Sequence, residues 1–470
     1  MLFNSFAFLI FYVIVTFLYF AVPYKWRWII LLAASCYFYM DFVPVYILIL
    51  GATIVIDYFA GILIEQAKQP KQRKMLLALS IIANVGILAV FKYFNFINLN
   101  IGALLHKFNY QNPIPYLSIL LPIGLSFHTF QAMSYTIEVY KGNQKAERHF
   151  GIYSLYVMFY PQLVAGPIER PQNILPQMHA RHPFNYHMMV SGLRLMLWGF
   201  FKKVVVADRL ALYVNPVFNH PGDHNGTSVA IAALFFAIQI YCDFSGYSDI
   251  AIGSARTMGF NLMTNFNRPY FATNIREFWR RWHISLSTWF RDYLYIPLGG
   301  SYVAAWRGFL NLFIVFLVSG LWHGANYTYL VWGGLHGLFL IIYSISKPYI
   351  AQPTGNGFTA VFTKAGGIVF TLLLTSFAWI FFRANSVSDA FTLISSFKTF
   401  GARPVIVEAH CLLAIVLLFL VEFKMEYLPQ HFNVFVSPNI AVRWGAVMLS
   451  LFLILLLGVF SGKQFIYFQF

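Results

Sequence analysis

The stretch RGFLNLFIVFLVSGLWHGANYTYLVWGGLHGLFLIIYSIS, residues 307–346, is apolar along nearly its whole length. A transmembrane helix needs about 20 predominantly apolar residues, so the stretch predicts two spans, at about 307–322 and 326–346. It also holds two imidazoles, His323 and His336. Their polar nitrogens need partners in hydrocarbon, and an ionisable side chain inside a membrane is a functional candidate by default.

Outward from this stretch the pattern repeats. Further apolar runs near spanning length lie at about 2–22, 27–42, 44–64, 75–95, 116–139, 189–213, 227–251, 366–382, 408–423 and 443–460. Residues 151–170, GIYSLYVMFYPQLVAGPIER, form a weaker segment whose Pro and Gly predict a re-entrant turn. Irregular backbone of that kind is tolerated at depth only under protein cover. The reading is an all-α polytopic membrane protein of about eleven to thirteen membrane segments, folded as one domain over residues 1–470. Composition agrees: 59% of the 470 residues are hydrophobic and 10% charged, against roughly a quarter charged in a soluble domain. Aromatic residues reach 19%, which suits either lipid-facing surfaces or an aromatic-lined interior.

The chain carries 32 basic and 16 acidic residues, a formal charge of +16. The basic residues are scattered between apolar runs, which speaks against nucleic acid and for the positive-inside bias. Lys25 and Arg27 follow the first span, Lys68, Lys71, Arg73 and Lys74 the third, and Lys141, Lys145 and Arg148 the fifth. With alternating spans these loops share one side, so the N-terminus is expected outside and the loops in the cytoplasm. The N-terminal run lacks a basic n-region and reads as a retained span rather than a signal peptide. Cys36, Cys242 and Cys411 form no CxxC pair, so neither disulfides nor a zinc site are indicated.

One stretch departs from the apolar pattern: FATNIREFWRRWHISLSTWFRDYLYIPLGG, residues 271–300. Arg276, Arg280, Arg281 and Arg291 alternate there with Phe278, Trp279, Trp282, Trp289 and Phe290. Such interleaving predicts an amphipathic helix lying at the headgroup level, with Trp279 and Trp282 holding it there. The same arginines suit a docking surface for phosphate or an acidic carrier. An anchor alone leaves His283, in the middle of the stretch, without a role.

Along an ideal helix His323 and His336 stand roughly 140° and about 20 Å apart. They cannot share a substrate atom unless the segment breaks, for instance at Gly333-Gly334, so His336 is expected to be a packing residue. Asp243 and Asp249 in YCDFSGYSDIAIG could bracket a cation, but no third carboxylate or histidine lies near in sequence, and a polar packing role is the better reading. No G-x-S-x-G elbow, HExxH pair or P-loop is present in the sequence.

WHG at 322–324, RWHISLSTWFRDYLYIPLGG at 281–300, YCDFSGYSDIAIG at 241–253 and FYPQLVAGPIERP at 159–171 together resemble the membrane-bound O-acyltransferase family. LPIGLSFHTFQAMSYTIEVYKG at 121–142 and QFIYFQF at 464–470 resemble its bacterial alginate O-acetylation branch. One departure is His128, where related chains usually carry an aromatic residue. The resemblance implies two family histidines, matching His323 in WHG and His283 in RWHIS, and a fold of spanning, re-entrant and interfacial helices around a central tunnel. It further implies transfer of an acyl group, most simply acetyl, from a cytoplasmic thioester such as acetyl-CoA or an acyl carrier. The acceptor would be an extracytoplasmic polysaccharide such as alginate, reached across the bacterial inner membrane. No bound cofactor or metal is implied, and a periplasmic polysaccharide acetyltransferase is an expected partner. D-alanyl transfer toward teichoic acid from an aminoacyl carrier protein is a rival within the family. A non-catalytic transporter is a rival outside it, but such folds carry inverted repeats and paired broken helices, and neither is found.

Overall fold

The computed structural model describes residues 1–118, 122–164, 166–349, 357–401, 406–428, 435, 437–460 and 466. The QFIYFQF stretch at 464–470 lies outside the described residues apart from Ile466. Among the described residues the regular structure is helical throughout, with no strand. Seven helices among the described residues are long and apolar enough to cross a membrane: Pro44–Gln66, Pro70–His106, Gly226–Thr257, Ala305–His323, Tyr327–Tyr349, Thr359–Arg383 and Ile440–Leu457. Pro70–His106, with 37 residues, extends about 55 Å at the usual rise. Other apolar runs form shorter helices: Phe6–Ala21, Arg27–Met40, Leu125–Lys141 and Tyr186–Phe200, of 16, 14, 17 and 15 residues. Ala409–Tyr427 reaches 19 residues but carries Glu422, Lys424 and Glu426 in its last turns. The polytopic all-α architecture therefore stands, built from full spans and a set of shorter helices.

The chain divides into two compact units, Met1–Met196 with Ile250–Met263, and Leu197–Asp249 with Thr264 onward. In the first, the 151–170 segment is a broken helix, Phe150–Met158 and Tyr160–Leu163, buried from Ile152 through Val164. Burial is what such broken backbone needs at depth. Several buried polar side chains in this unit pair with one another. Asp57 accepts from Ser80 Oγ at 2.6 Å and from Asn84 Nδ2 at 2.8 Å, and His128 Nε2 lies 2.5 Å from Thr53 Oγ1.

The second unit holds a helical hairpin made of Ala305–His323 and Tyr327–Ser346. The two backbones nearly touch. A Cβ at Gly320 would lie 2.2 Å from the Tyr329 carbonyl oxygen, and one at Gly333 would lie 2.3 Å from that of Phe316. Membrane helices associate through such small-residue seams, because lipid offers no hydrophobic drive between them. The turn is set by Gly324, in extended backbone, and by Asn326, whose side chain accepts from Thr328 N at 3.1 Å and so caps the second helix.

This hairpin changes the relation of the two histidines. The segment does break, at Gly324–Asn326, whereas Gly333-Gly334 is ordinary helix. The 20 Å separation along one helix therefore does not exist. The arginine-aromatic stretch also differs from expectation. Instead of one amphipathic helix it forms Ile275–Arg281, Ile284–Phe290 and a wider turn at Arg291–Tyr295. Trp282 is packed inside the protein rather than presented to headgroups. It is 2% exposed, packed 5.1 Å from both Phe266 and Trp379, because the break at this point turns its indole into the core.

Candidate active site

His323 is the last residue of its helix, and 5% of it is exposed. Three rings meet its imidazole edge to face: Trp322 and Trp332, each at 5.0 Å, and Phe382 at 5.3 Å. Edge-to-face pairing of this kind fixes ring orientation. Phe382 comes from helix Phe358–Arg383, as does Trp379, which stacks on Trp332 at 5.6 Å. The imidazole thus sits in an aromatic chamber built from three helices. The aromatic content of the chain serves both purposes that composition allows, since rings such as Phe6, Phe17 and Phe370 are largely exposed.

His283 joins the two short helices at φ 41°, ψ 55°, a left-handed conformation. That conformation is uncommon for a residue with a Cβ, although Asn, Asp and His are enriched in it, and strain of this kind clusters at functional sites. The ring is buried among Phe244 at 4.6 Å, Phe266 at 6.2 Å and Trp322 at 6.3 Å. Burial pushes its imidazole pKa down to about 3, because desolvation disfavours the charged form. Trp322 lies beside both histidines, with ring centroids 6.3 Å from His283 and 5.0 Å from His323.

His336 is brought close as well. Trp332 lies 5.0 Å from the His336 ring and 5.0 Å from the His323 ring, and so stands beside both. Trp279 Nε1 donates to His336 Nδ1 at 3.3 Å. An imidazole that accepts at Nδ1 is neutral and carries its proton on Nε2.

A cavity of about 730 Å³ opens beside this chamber, lined by Arg276, Arg280 and Arg291 together with Trp279, Phe316 and Ser319. Along the helix ending at His323, its lining residues are Ala305, Gly308, Phe309, Leu312, Val315, Phe316 and Ser319. These share one helical face, and the next position on that face is His323, four residues and about 6 Å beyond Ser319. Arg276 reaches Ser344 Oγ at 3.4 Å, and Arg291 pairs with its neighbour Asp292 at 2.7 Å. Arg281 does not line the cavity. Its guanidinium pairs with Glu277 at 2.7 Å and Glu426 at 2.9 Å, and Glu426 also takes Arg268 at 2.7 Å.

Asp243 and Asp249 do meet cations, but these are lysines. Lys203 Nζ lies 2.5 Å from Asp243 and 2.9 Å from Asp208, and Lys202 Nζ lies 2.6 Å from Asp249 and 2.9 Å from Ser245 Oγ. Both lysines sit on a π-helical turn, Phe201–Ala207, a form that recurs at functional sites. Neither lysine is among the residues expected from sequence. Their signal was two adjacent lysines inside an apolar run, in FKKVVVADR at 201–209.

Residues 75–387 match the sequence profile of the membrane-bound O-acyltransferase family. The chain belongs to that family. This O-acyltransferase is 37% identical over 390 residues to the probable alginate O-acetylase AlgI of Pseudomonas aeruginosa, an alignment spanning 82% of the chain and 72% of the relative. It is 36% identical over 393 residues to the peptidoglycan O-acetyltransferase of Helicobacter pylori, spanning 78% of the chain and 72% of that relative. The teichoic acid D-alanyltransferase of Bacillus subtilis is 26% identical over 238 residues, spanning 48% of the chain and 60% of the relative. The chain thus falls in the alginate O-acetylase-like branch of the family. It is a multi-pass membrane enzyme of acyl transfer, and an acyl donor and a bilayer belong to its working context.

Proposed function

We propose that this O-acyltransferase moves an acetyl group from a thioester donor toward an extracytoplasmic polysaccharide across the bacterial inner membrane. His323 is the general base, and His283 contacts the reacting groups as a neutral hydrogen-bonding partner. The observation that carries the reading is the run of cavity-lining residues along the helix ending at His323. A donor in the arginine-rimmed cavity would extend its acyl end along that face toward the imidazole. The acceptor hydroxyl gives its proton to His323, and its oxygen attacks the thioester carbonyl. The C–S bond then breaks, and the thiolate takes the proton back. Imidazole suits this exchange because it ordinarily titrates near 6.5.

Arg276, Arg280 and Arg291 are the docking groups for donor phosphates or an acidic carrier, while Arg281, bound by Glu277 and Glu426, holds the segment in shape. The donor side is cytoplasmic and the N-terminus outside, as the basic loops suggest. A periplasmic acetyltransferase completing delivery is the expected partner. Acetyl is favoured over D-alanyl transfer because relatives named as O-acetylases align along most of the chain, whereas the D-alanyltransferase of Bacillus subtilis aligns along 48%.

Transfer of label from acetyl-CoA in proteoliposomes tests the reading, and no transfer from any acyl thioester would remove it. In the same assay an Arg276→Ala/Arg280→Ala variant is expected to raise the donor KM several-fold, with turnover at saturation largely kept. An unchanged KM would leave the arginines as surface anchors.

His283→Asn is the sharper probe of the second histidine, since Asn tolerates the left-handed backbone. It is expected to keep the fold and lose roughly tenfold or more of the turnover. Near-wild-type turnover in folded protein would confine His283 to packing.

A further inference from the structure

We infer that Asn265 is a positioning residue for His283: it caps the helix that begins at this histidine, in place of the imidazole, and so keeps the ring turned in among Phe244, Phe266 and Trp322. The inference rests on the reading of His283 as a participant in the transfer.

The need for a cap follows from the break in the arginine-aromatic stretch. The first N–H groups of any helix have no partner within it, and a polar side chain on the residue before the helix ordinarily takes them. His149 does so elsewhere in this chain, where its Nδ1 accepts from Ile152 N at 3.1 Å. His283 holds the same position before Ile284–Phe290 and makes no such side-chain bond. Asn265 supplies the bonds instead. Its carbonyl oxygen accepts from Ile284 N at 2.8 Å, and its Oδ1 accepts from Ser285 N at 3.4 Å and from Ser285 Oγ at 2.9 Å.

The neighbours of Asn265 hold the same break. Asn267 N donates to the Arg281 carbonyl at 2.9 Å, on the other side of His283 from Ile284. Between the two asparagines, the Phe266 ring lies against the imidazole at 6.2 Å with planes 14° apart. Asn265 Nδ2 donates to Ser248 Oγ at 3.1 Å. Ser248 stands one turn along its helix from Phe244, whose ring meets His283 at 4.6 Å. Asn265 and Ser285 are both fully buried, where a polar group left without its bond is costly. A left-handed backbone is unfavourable for a residue with a Cβ. Without the Asn265 cap the stretch is expected to relax toward the continuous helix that its periodicity favours. Ile284 N would then bond to the Arg280 carbonyl, and the imidazole would leave its place between Phe244 and Phe266.

The test measures acetyl transfer from acetyl-CoA by the full-length protein in proteoliposomes, normalised to folded protein. Asn265→Ala is expected to lower kcat about tenfold or more, since a small misplacement of a reacting group is costly. Asn265→Asp keeps an acceptor for Ser285 and can accept from the Ser248 hydroxyl, and it is expected to hold turnover within about threefold of wild type. Ser285→Ala, a milder change, is expected to cost about threefold and covers the case in which Asn265→Ala fails to fold. The discriminating background is His283→Gly, which admits the left-handed backbone and supplies no side chain. There Asn265→Ala and Ser285→Ala are expected to cost less than about twofold further, because the ring they position is gone. A merely structural asparagine would cost the same factor in both backgrounds. Equal costs, or wild-type turnover in folded Asn265→Ala or Ser285→Ala, would overturn the inference. Near-wild-type turnover of His283→Gly would instead overturn the reading of His283 beneath it.

Discussion

Replacing His323 with alanine is expected to reduce acyl transfer by about 100-fold or more, the usual cost of removing a positioned general base. The fold should survive the change. The imidazole ends its helix, and the hairpin is held by the backbone contact at Gly320 and Gly333 and by the Asn326 cap. What is lost locally is three edge-to-face ring contacts. His323→Gln is the companion variant, since it keeps a polar group of similar length without an imidazole's titration. Turnover is measured on purified protein and normalised to the monodisperse fraction. Retention of more than roughly a tenth of wild-type turnover in either variant would rule out base catalysis by His323, because a lost base costs more than that.

The second large effect is on stability. Lys203→Met removes the cation shared by Asp208 and Asp243, at a place where all three side chains are buried. Breaking one partner out of a buried ion cluster costs about 3–5 kcal/mol, because the remaining charges are left uncompensated. Two carboxylates facing each other without Lys203 should follow that rule, and a marked fall in thermal midpoint or in recoverable protein is expected. A triple change, Lys203→Met with Asp208→Asn and Asp243→Asn, removes the charges together and should recover most of the loss. Asparagine at 243 also keeps an acceptor for the Ile466 N–H, which reaches Asp243 at 2.7 Å. Thermal melts in one detergent compare the three proteins. A single mutant as stable as wild type would mean the cluster is hydrated rather than buried, and a triple mutant no better than the single would mean that Lys203 acts by packing.

Much of the architecture was legible because bilayers leave few choices. Apolar runs of spanning length must be helical, and the long ones are. The family blocks also directed attention to His323 and His283, and the two turn out to share Trp322. What could not be read was where helices break. From sequence, His323 and His336 lie on a continuous helix or on one broken at Gly333-Gly334. Gly333 instead serves close approach of two backbones, and the turn belongs to Gly324 and Asn326, which caps with Oδ1 and donates from Nδ2 to the distant Asn385 carbonyl. Periodicity likewise gave one amphipathic helix over 271–300, because a left-handed residue leaves no mark on hydrophobic spacing. The arginines looked alike in sequence, yet Arg281 is claimed by Glu426, 145 residues away along the chain. Lys202 and Lys203 were missed for a related reason, since their partners Asp249 and Asp243 lie in another helix.

The glycine seam between the two hairpin helices bears on how the enzyme can move. Backbones in contact at two levels cannot slide or part without losing both contacts, so the hairpin that carries His323 and His336 is an anvil. Across the cavity stands the opposite kind of element, two helices of seven residues joined at one left-handed residue. Short helices have little cooperative stiffness of their own, and a single pivot can redirect both. On the proposed reading of the cavity as the donor site, a movement that admits a donor would fall on that side, which bears Arg276 and Arg280. One jaw would then be fixed and carry His323, and the other would be jointed and carry the arginines.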